Sequence, residues 1–350
     1  MRAVALYPFW VILLALFLPA CDVHEWPEEE PEPPMPGEVK FDLQLDFAFD
    51  RAELPDYKTI VIGTTRAADL SSYKARYQIR IFRMGTDSLF ETTPCQTLSF
   101  NHAVAEALGY RNTLRLPEGR YRFMAWTDFS ENMDDHFYGT ADFASIALQG
   151  EEHAGNNDFR DAFRGTLEAD IRVAADSSAR KTLTVDMRRP LAKFRFVTTD
   201  VEEFKSDYLR SQQQNGATKA GESEDVIDMT KFSVRFSYEG FMPSVYNMYT
   251  DRPVDVKTGV SFPSVLTDIK DGEATMGFDY VMVGEGDAGV SVAVALYDED
   301  GTRLSGVDNI RVPLRRGKLT TVRGNFLTAR SSGNVQIDPS FDGKFDIEIK

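Results

Sequence analysis

The sequence predicts an all-β protein: two tandem β-sandwich domains behind an N-terminal targeting segment and a short tether. Three observations predict it. Apolar and polar residues alternate with period two in stretch after stretch, the signature of half-buried strands. Turn residues separate these stretches at short spacing, as in sandwiches and unlike a parallel α/β sheet. The 350 residues are too many for one small domain and about right for two. Hydrophobic residues make up 42% of the chain and charged residues 27%, which allows folded cores and argues against wholesale disorder.

Residues 1–20 read as a signal peptide. Arg2 supplies the positive flank, and the chain is apolar from Val4 to Leu18. That run is shorter than the ~20 residues a membrane-spanning helix needs. It is the length of a signal-peptide core. Leu18-Pro19-Ala20-Cys21 follows and resembles the bacterial lipobox, which implies cleavage between Ala20 and Cys21 and a diacylated Cys21 as the mature N-terminus. The other reading is an ordinary signal peptide with a coincidental cysteine. Residues 21–38 are the lipidated cysteine and its tether. Asp22 to Pro34 holds five glutamates, one aspartate and four prolines, so like charges repel and proline favours extended polyproline II. The acidic stretch also resembles the surface-export signal of lipoproteins in Bacteroides-type bacteria; a plain spacer is the alternative.

The N-terminal sandwich is expected over 39–188. Phe41, Leu43, Leu45 and Phe47 alternate with Asp42, Gln44 and Asp46. Tyr73 to Ile81 alternates too, and Leu114 and Leu116 lead through the turn Pro117-Glu118-Gly119 into Tyr121, Phe123 and Ala125. Thr182 to Met187 closes this half, and Arg188-Arg189-Pro190 marks the join. The C-terminal sandwich is expected over 189–350, with strands at Ala192–Val197, Phe232–Tyr238, Val290–Tyr297, Ile310–Val312, Thr320–Leu327 and Phe345–Ile349. Helical signals are few: Ala103 to Leu108, and Asp200 to Arg210 with Phe204 and Tyr208 four apart. The polar stretch Ser211 to Asp225 reads as a long loop.

Charge narrows the partners. Lys plus Arg is 39 and Asp plus Glu is 55, a net charge of −16. Nucleic acid needs a basic face, so it is not expected as a partner. Two cysteines exclude a disulfide-rich scaffold, and with Cys21 lipidated Cys95 is left alone, expected as a small buried hydrophobe. Four histidines disfavour a multi-histidine metal site; His102 and His153 are expected to be isolated and exposed. Asp134-Asp135-His136 offers ligand types without a second cluster at metal spacing. No cofactor, metal site or catalytic residue is expected.

Other motifs read as turns. Gly284-Glu285-Gly286-Asp287-Ala288-Gly289 matches G-x-G-x-x-G, but it lies between strands and its acids repel a pyrophosphate, so a glycine-rich hairpin is expected. Asp298-Glu299-Asp300-Gly301 is expected as a hairpin turn, since an EF-hand calcium loop would need glutamate where Asn309 stands; a weak surface calcium site is the alternative. Asp87-Ser88-Leu89 fits a short bacterial O-glycosylation pattern, as chance tripeptides also do. Trp126, Tyr138, Tyr246 and Tyr249, with Phe241, are candidate contact residues whose rings suit sugar stacking. For Trp126, inside an alternating strand, a core role competes. Met242 to Tyr249 is expected to be a surface loop.

Segments spread over the mature chain carry a family resemblance. They are the lipobox with Asp22–Pro27, Leu116–Asp128, Arg160–Thr166, Arg189–Asp200, and Ile310–Pro313 with Arg316–Thr328. Together they resemble the fimbrillin-like superfamily of Bacteroides-type bacteria, its lipoprotein members in particular. The resemblance implies two transthyretin-like β-sandwich domains. It also implies a role among the pilins, anchors, tips or accessory subunits of type V pili. In the pilins an Arg- or Lys-specific protease removes the first strand and a neighbour's strand replaces it; here Arg51 or Arg66 would offer the cut. The expected function is a non-enzymatic, lipid-anchored outer-membrane protein, displayed at the surface and working by strand pairing and contact. Its expected partners are the bilayer through acylated Cys21 and other fimbrillin-like subunits. The alternatives are a surface glycan-binding lipoprotein serving polysaccharide uptake and, with least support, a hydrolase.

Overall fold

The computed structural model describes residues 41–49, 73–103, 111–172, 181–214, 227–329 and 345–349. The alternating stretches become strands. Before the join lie β1 (Phe41–Phe49), β2 (Lys74–Arg83), β3 (Gln96–Ala103), β4 (Arg111–Leu116), β5 (Gly119–Ser130), β6 (Tyr138–Gly139), β7 (Ile146–Leu148), β8 (Phe163–Ile171) and β9 (Lys181–Met187). After it come β10 (Leu191–Thr198), helix α1 (Val201–Gln214), β11 (Ser233–Tyr238), β12 (Met242–Asn247), β13 (Arg252–Lys257) and β14 (Ser261–Val265). The chain continues through β15 (Thr267–Lys270), β16 (Glu273–Met282), β17 (Ala288–Tyr297), β18 (Arg303–Leu314), β19 (Leu319–Gly324) and β20 (Phe345–Ile349).

Five sheets result. Two belong to the first half, in the orders β4-β1-β9 and β3-β2-β5-β8. Two belong to the second, β15-β16-β10-β19-β20 and β14-β11-β17-β18. The fifth, β13-β12-β7-β6, draws two strands from each half. In the second half, β10 and β11 come from opposing sheets and interdigitate: Phe196 meets Phe236 edge-on at 5.3 Å, and Phe194 meets Tyr238 at 6.2 Å. In the first half, backbone bonds between Arg164 and Arg188 tie β8 to the end of β9. Gly165 makes this approach possible, because a Cβ there would sit 2.6 Å from both Met187 Sδ and Val185 Cγ1. Buried side chains from both halves form one contiguous core.

The predicted helix forms and runs to Gln214. Glu202 and Glu203 in its first turn suit the positive end of the helix dipole. Phe204 stacks on Tyr208 one turn later, and both meet Phe232 at 5.1 Å. The Asp298–Gly301 turn joins β17 to β18 as an antiparallel hairpin.

Three local expectations are corrected. Met242–Tyr249 is no loop: its first six residues are β12, with alternate side chains buried. Gly284–Gly289 is no hairpin either, since β16 and β17 lie in different sheets and the glycines carry the chain across. Cys95 is exposed, its Sγ donating to Ile81 O at 3.2 Å, because it sits at the rim just before β3 and not within a strand's inward row. The helical candidate Ala103–Leu108 begins at the last residue of β3, and its remainder lies outside the described residues.

Candidate functional site

The two halves are joined by buried charge. Residues 153–161 of the first half dock against β10, β11 and β16 of the second. Asp279 on β16 is the hub. Arg160 donates to its Oδ1, Tyr238 OH donates to Oδ2 at 2.6 Å, and His153 Nε2 lies 2.6 Å from the same oxygen. The same His153 nitrogen lies 2.9 Å from Arg160 Nη1, so the three ionisable side chains meet at one point. Burial alone would raise the Asp279 carboxyl; the Arg160 and His153 charges outweigh it and hold the group down at about 2. The same burial depresses His153, although Asp279 opposes it. Expected to be exposed, His153 is instead drawn in by Asp279, and its ring packs near Phe262.

Around this hub the docking continues. Asn156 accepts from Phe278 N at 2.6 Å and donates to Pro263 O at 3.2 Å. Asp158 takes Lys193 Nζ at 2.6 Å and Tyr280 OH at 2.8 Å. Asp161 accepts from Arg189 Nε, both oxygens at 3.0 Å. A second hub is Asp251, between Arg164 of β8 at 3.1 Å and Arg316 at 2.9 Å, with Tyr246 OH donating to it.

The candidate aromatic platform dissolves on this frame. Trp126, Tyr138 and Tyr246 are each 0% exposed, so no sugar reaches their faces. The reason is polar satisfaction inside the core. Trp126 Nε1 donates to Asp128 Oδ2 at 3.1 Å, Tyr138 OH donates to Arg160 O, and Tyr246 OH donates to Asp251. Tyr249 remains on the surface at 46% exposure and Phe241 at 68%. Asp134, Asp135 and His136 are exposed and bond to separate partners: Ser130, Arg76 and Tyr73 respectively. Asp87-Ser88-Leu89 is an exposed turn, with Asp87 Oδ1 accepting from Leu89 N at 3.1 Å. Ala20 and Cys21, with Arg51 and Arg66, lie outside the described residues.

Three surfaces remain as contact features. The first is the place of β1 itself. It is the central strand of its sheet, antiparallel to β4 over Phe41–Asp46 and parallel to β9 over Leu43–Phe49. The second is the outer side of the sheet shared by both halves, where Phe241, Tyr249, Val254 and Val256 are all more than 40% exposed. Scattered exposed apolar residues are ordinary; four on one β-ribbon and its flanks are a contact surface in the making. The third is a polar cleft of about 470 Å³ between residues 148–153 and the β13–β14 region, lined by Arg235 and Lys257 and by Glu151 and Glu152 among others. Sequence reasoning missed this cleft because its residues lie some eighty to a hundred positions apart.

Sheets and surfaces together define a β-sandwich protein with two halves locked by ion pairs. The chain belongs to a family of unknown function, DUF6562, whose model matches residues 36–350. No curated protein matches it. Among solved structures it is similar to the fimbrial anchor protein Mfa2 from Porphyromonas gingivalis, at 13% identity and TM-score 0.40, covering 77% of this chain and 82% of that one. It is similar to a fimbrial assembly protein from Parabacteroides distasonis, at 13% identity and TM-score 0.37, covering 82% and 92%. It is also similar to the tip fimbrial protein Mfa3 from Porphyromonas gingivalis, at 10% identity and TM-score 0.37, covering 79% and 81%. Identities and scores this low assign no role to this chain.

Proposed function

We propose that this is a non-enzymatic protein of the bacterial surface, held to the outer membrane by acylated Cys21 and acting as a fimbrial anchor, accessory or adhesion subunit. Its two sandwiches, 39–188 and 189–350, would stand off the bilayer on the acidic tether. The observation that carries the reading is the position of β1. The first described strand fills a slot between β4 and β9 and is held on both sides by backbone pairing. A slot of this kind accepts any extended segment with suitable alternate side chains, so a neighbour's strand can take the place of β1 once the chain is cut behind it. Arg51 follows β1 by two positions in sequence, and Arg66 precedes β2.

The test is digestion of the mature protein with an Arg-specific protease, followed by unboiled SDS gels. Loss of the β1 segment with a ladder of multimers is the expected result, and R51A/R66A should remain monomeric. A cut protein that stays monomeric, or unfolds without assembling, would refute strand exchange. Mass analysis of the N-terminal peptide from the native host checks the anchor separately.

A further inference from the structure

We propose that the cleft between residues 148–153 and the β13–β14 region binds an acidic glycan, a sugar chain that presents hexuronic-acid carboxylates among neutral hydroxyls. Its volume of about 470 Å³ falls within the range of small-ligand sites. Its lining is polar, with Gln149, Glu151, Glu152, Arg235, Lys257 and Ser261 all exposed to solvent there.

The charges choose the ligand. The chain carries net charge −16, and most of its arginines near acids are paired with them. Among the described residues, Arg235 and Lys257 have no carboxylate partner; Lys257 Nζ reaches only Leu148 O, at 3.5 Å. Two cations without a carboxylate partner among the described residues, both lining one cleft, suit a carboxylate, which they would hold by charge-assisted hydrogen bonds. Glu151 and Glu152, unpaired among the described residues as well, face the same space. They would repel a dense polyanion such as a polyphosphate or an acidic peptide. They accept hydroxyl protons readily. A ligand with an isolated carboxylate and many hydroxyls satisfies both kinds of lining group; neither a neutral sugar nor a polyanion does. His153, paired with Asp279, and the buried Phe262 also line the cleft. This site needs no aromatic platform and is independent of strand exchange.

The experiment is calorimetric titration of the full mature chain with trigalacturonate, maltotriose and a polyglutamate peptide. Trigalacturonate should bind at least about tenfold more tightly than either control, the loss expected when a charge-assisted contact is missing. R235Q/K257Q should weaken trigalacturonate by about tenfold or more with an unchanged melting temperature, since both side chains are exposed. E151Q/E152Q should narrow the gap between trigalacturonate and polyglutamate. No binding of trigalacturonate, equal binding of maltotriose, tighter binding of polyglutamate, or an R235Q/K257Q variant that binds as before would each overturn the proposal. None of these outcomes touches the gel ladder that tests strand exchange.

Discussion

At the scale of single residues, Asp279 shows how burial and charge settle one another. An isolated carboxylate would not stay ionised in this interior; three donors and a backbone N–H keep it so. His153 has the reverse problem, since its burial disfavours the proton that its acidic neighbour would welcome. Its folded-state pKa is depressed below the ordinary ~6.5, so the unfolded chain binds a proton that the folded chain lacks. Stability is therefore full above ~6.5 and falls as pH drops below that value. Urea midpoints should decline from pH 7.5 to pH 5, and H153Q should decline less; equal slopes for the two proteins would rule the account out. Asp279, held at about 2, adds its own loss only below the ordinary carboxylate range near ~4. None of this was legible in the sequence. His153 and Asp279 are 126 positions apart, and no local spacing announces the pair.

Among secondary-structure elements, strands whose one face is wet were legible, and strands covered on both faces were misread. Phe232–Tyr238 alternates in sequence and alternates in burial as β11. Along β5 every side chain from Phe123 to Ser130 is buried, so Trp126 lies inside whichever face it takes. Pro243 and a mixed run of Met, Ser and Asn hid β12, which tolerates its proline beside the irregular register with β13. Glycine was the more useful signal. At Gly165 a larger residue would meet Met187 and Val185 well inside contact distance, so G165V should cost about 1–3 kcal/mol by overpacking. Chemical denaturation would show this, and a cost below about 0.5 kcal/mol would mean that β8 and β9 stand further apart than described.

Taken whole, the described residues share one contiguous core. The all-β sandwich class was legible from alternation and strand spacing, but the charged seam was not, because every pair in it joins distant segments. Arg160 to Asp279, Arg164 to Asp251, Asp158 to Lys193 and Asp161 to Arg189 all cross it. Removing one member of a buried pair leaves the other charge stranded, a loss of about 3–5 kcal/mol. Calorimetry should accordingly give a single transition with equal calorimetric and van't Hoff enthalpies, and D279N should separate it into two. Two well-resolved transitions in the unaltered protein would show that the halves melt alone.

The placement of β1 has a mechanical consequence. A pull on the N-terminus, the direction a membrane attachment would impose, runs along the axis of that strand, while its bonds to β4 and β9 lie across it. Both ladders then carry the force together and must yield at once, instead of opening one rung at a time. The strand β1 is thus set to resist traction, and only severing the backbone behind it frees the rest of the protein from that pull.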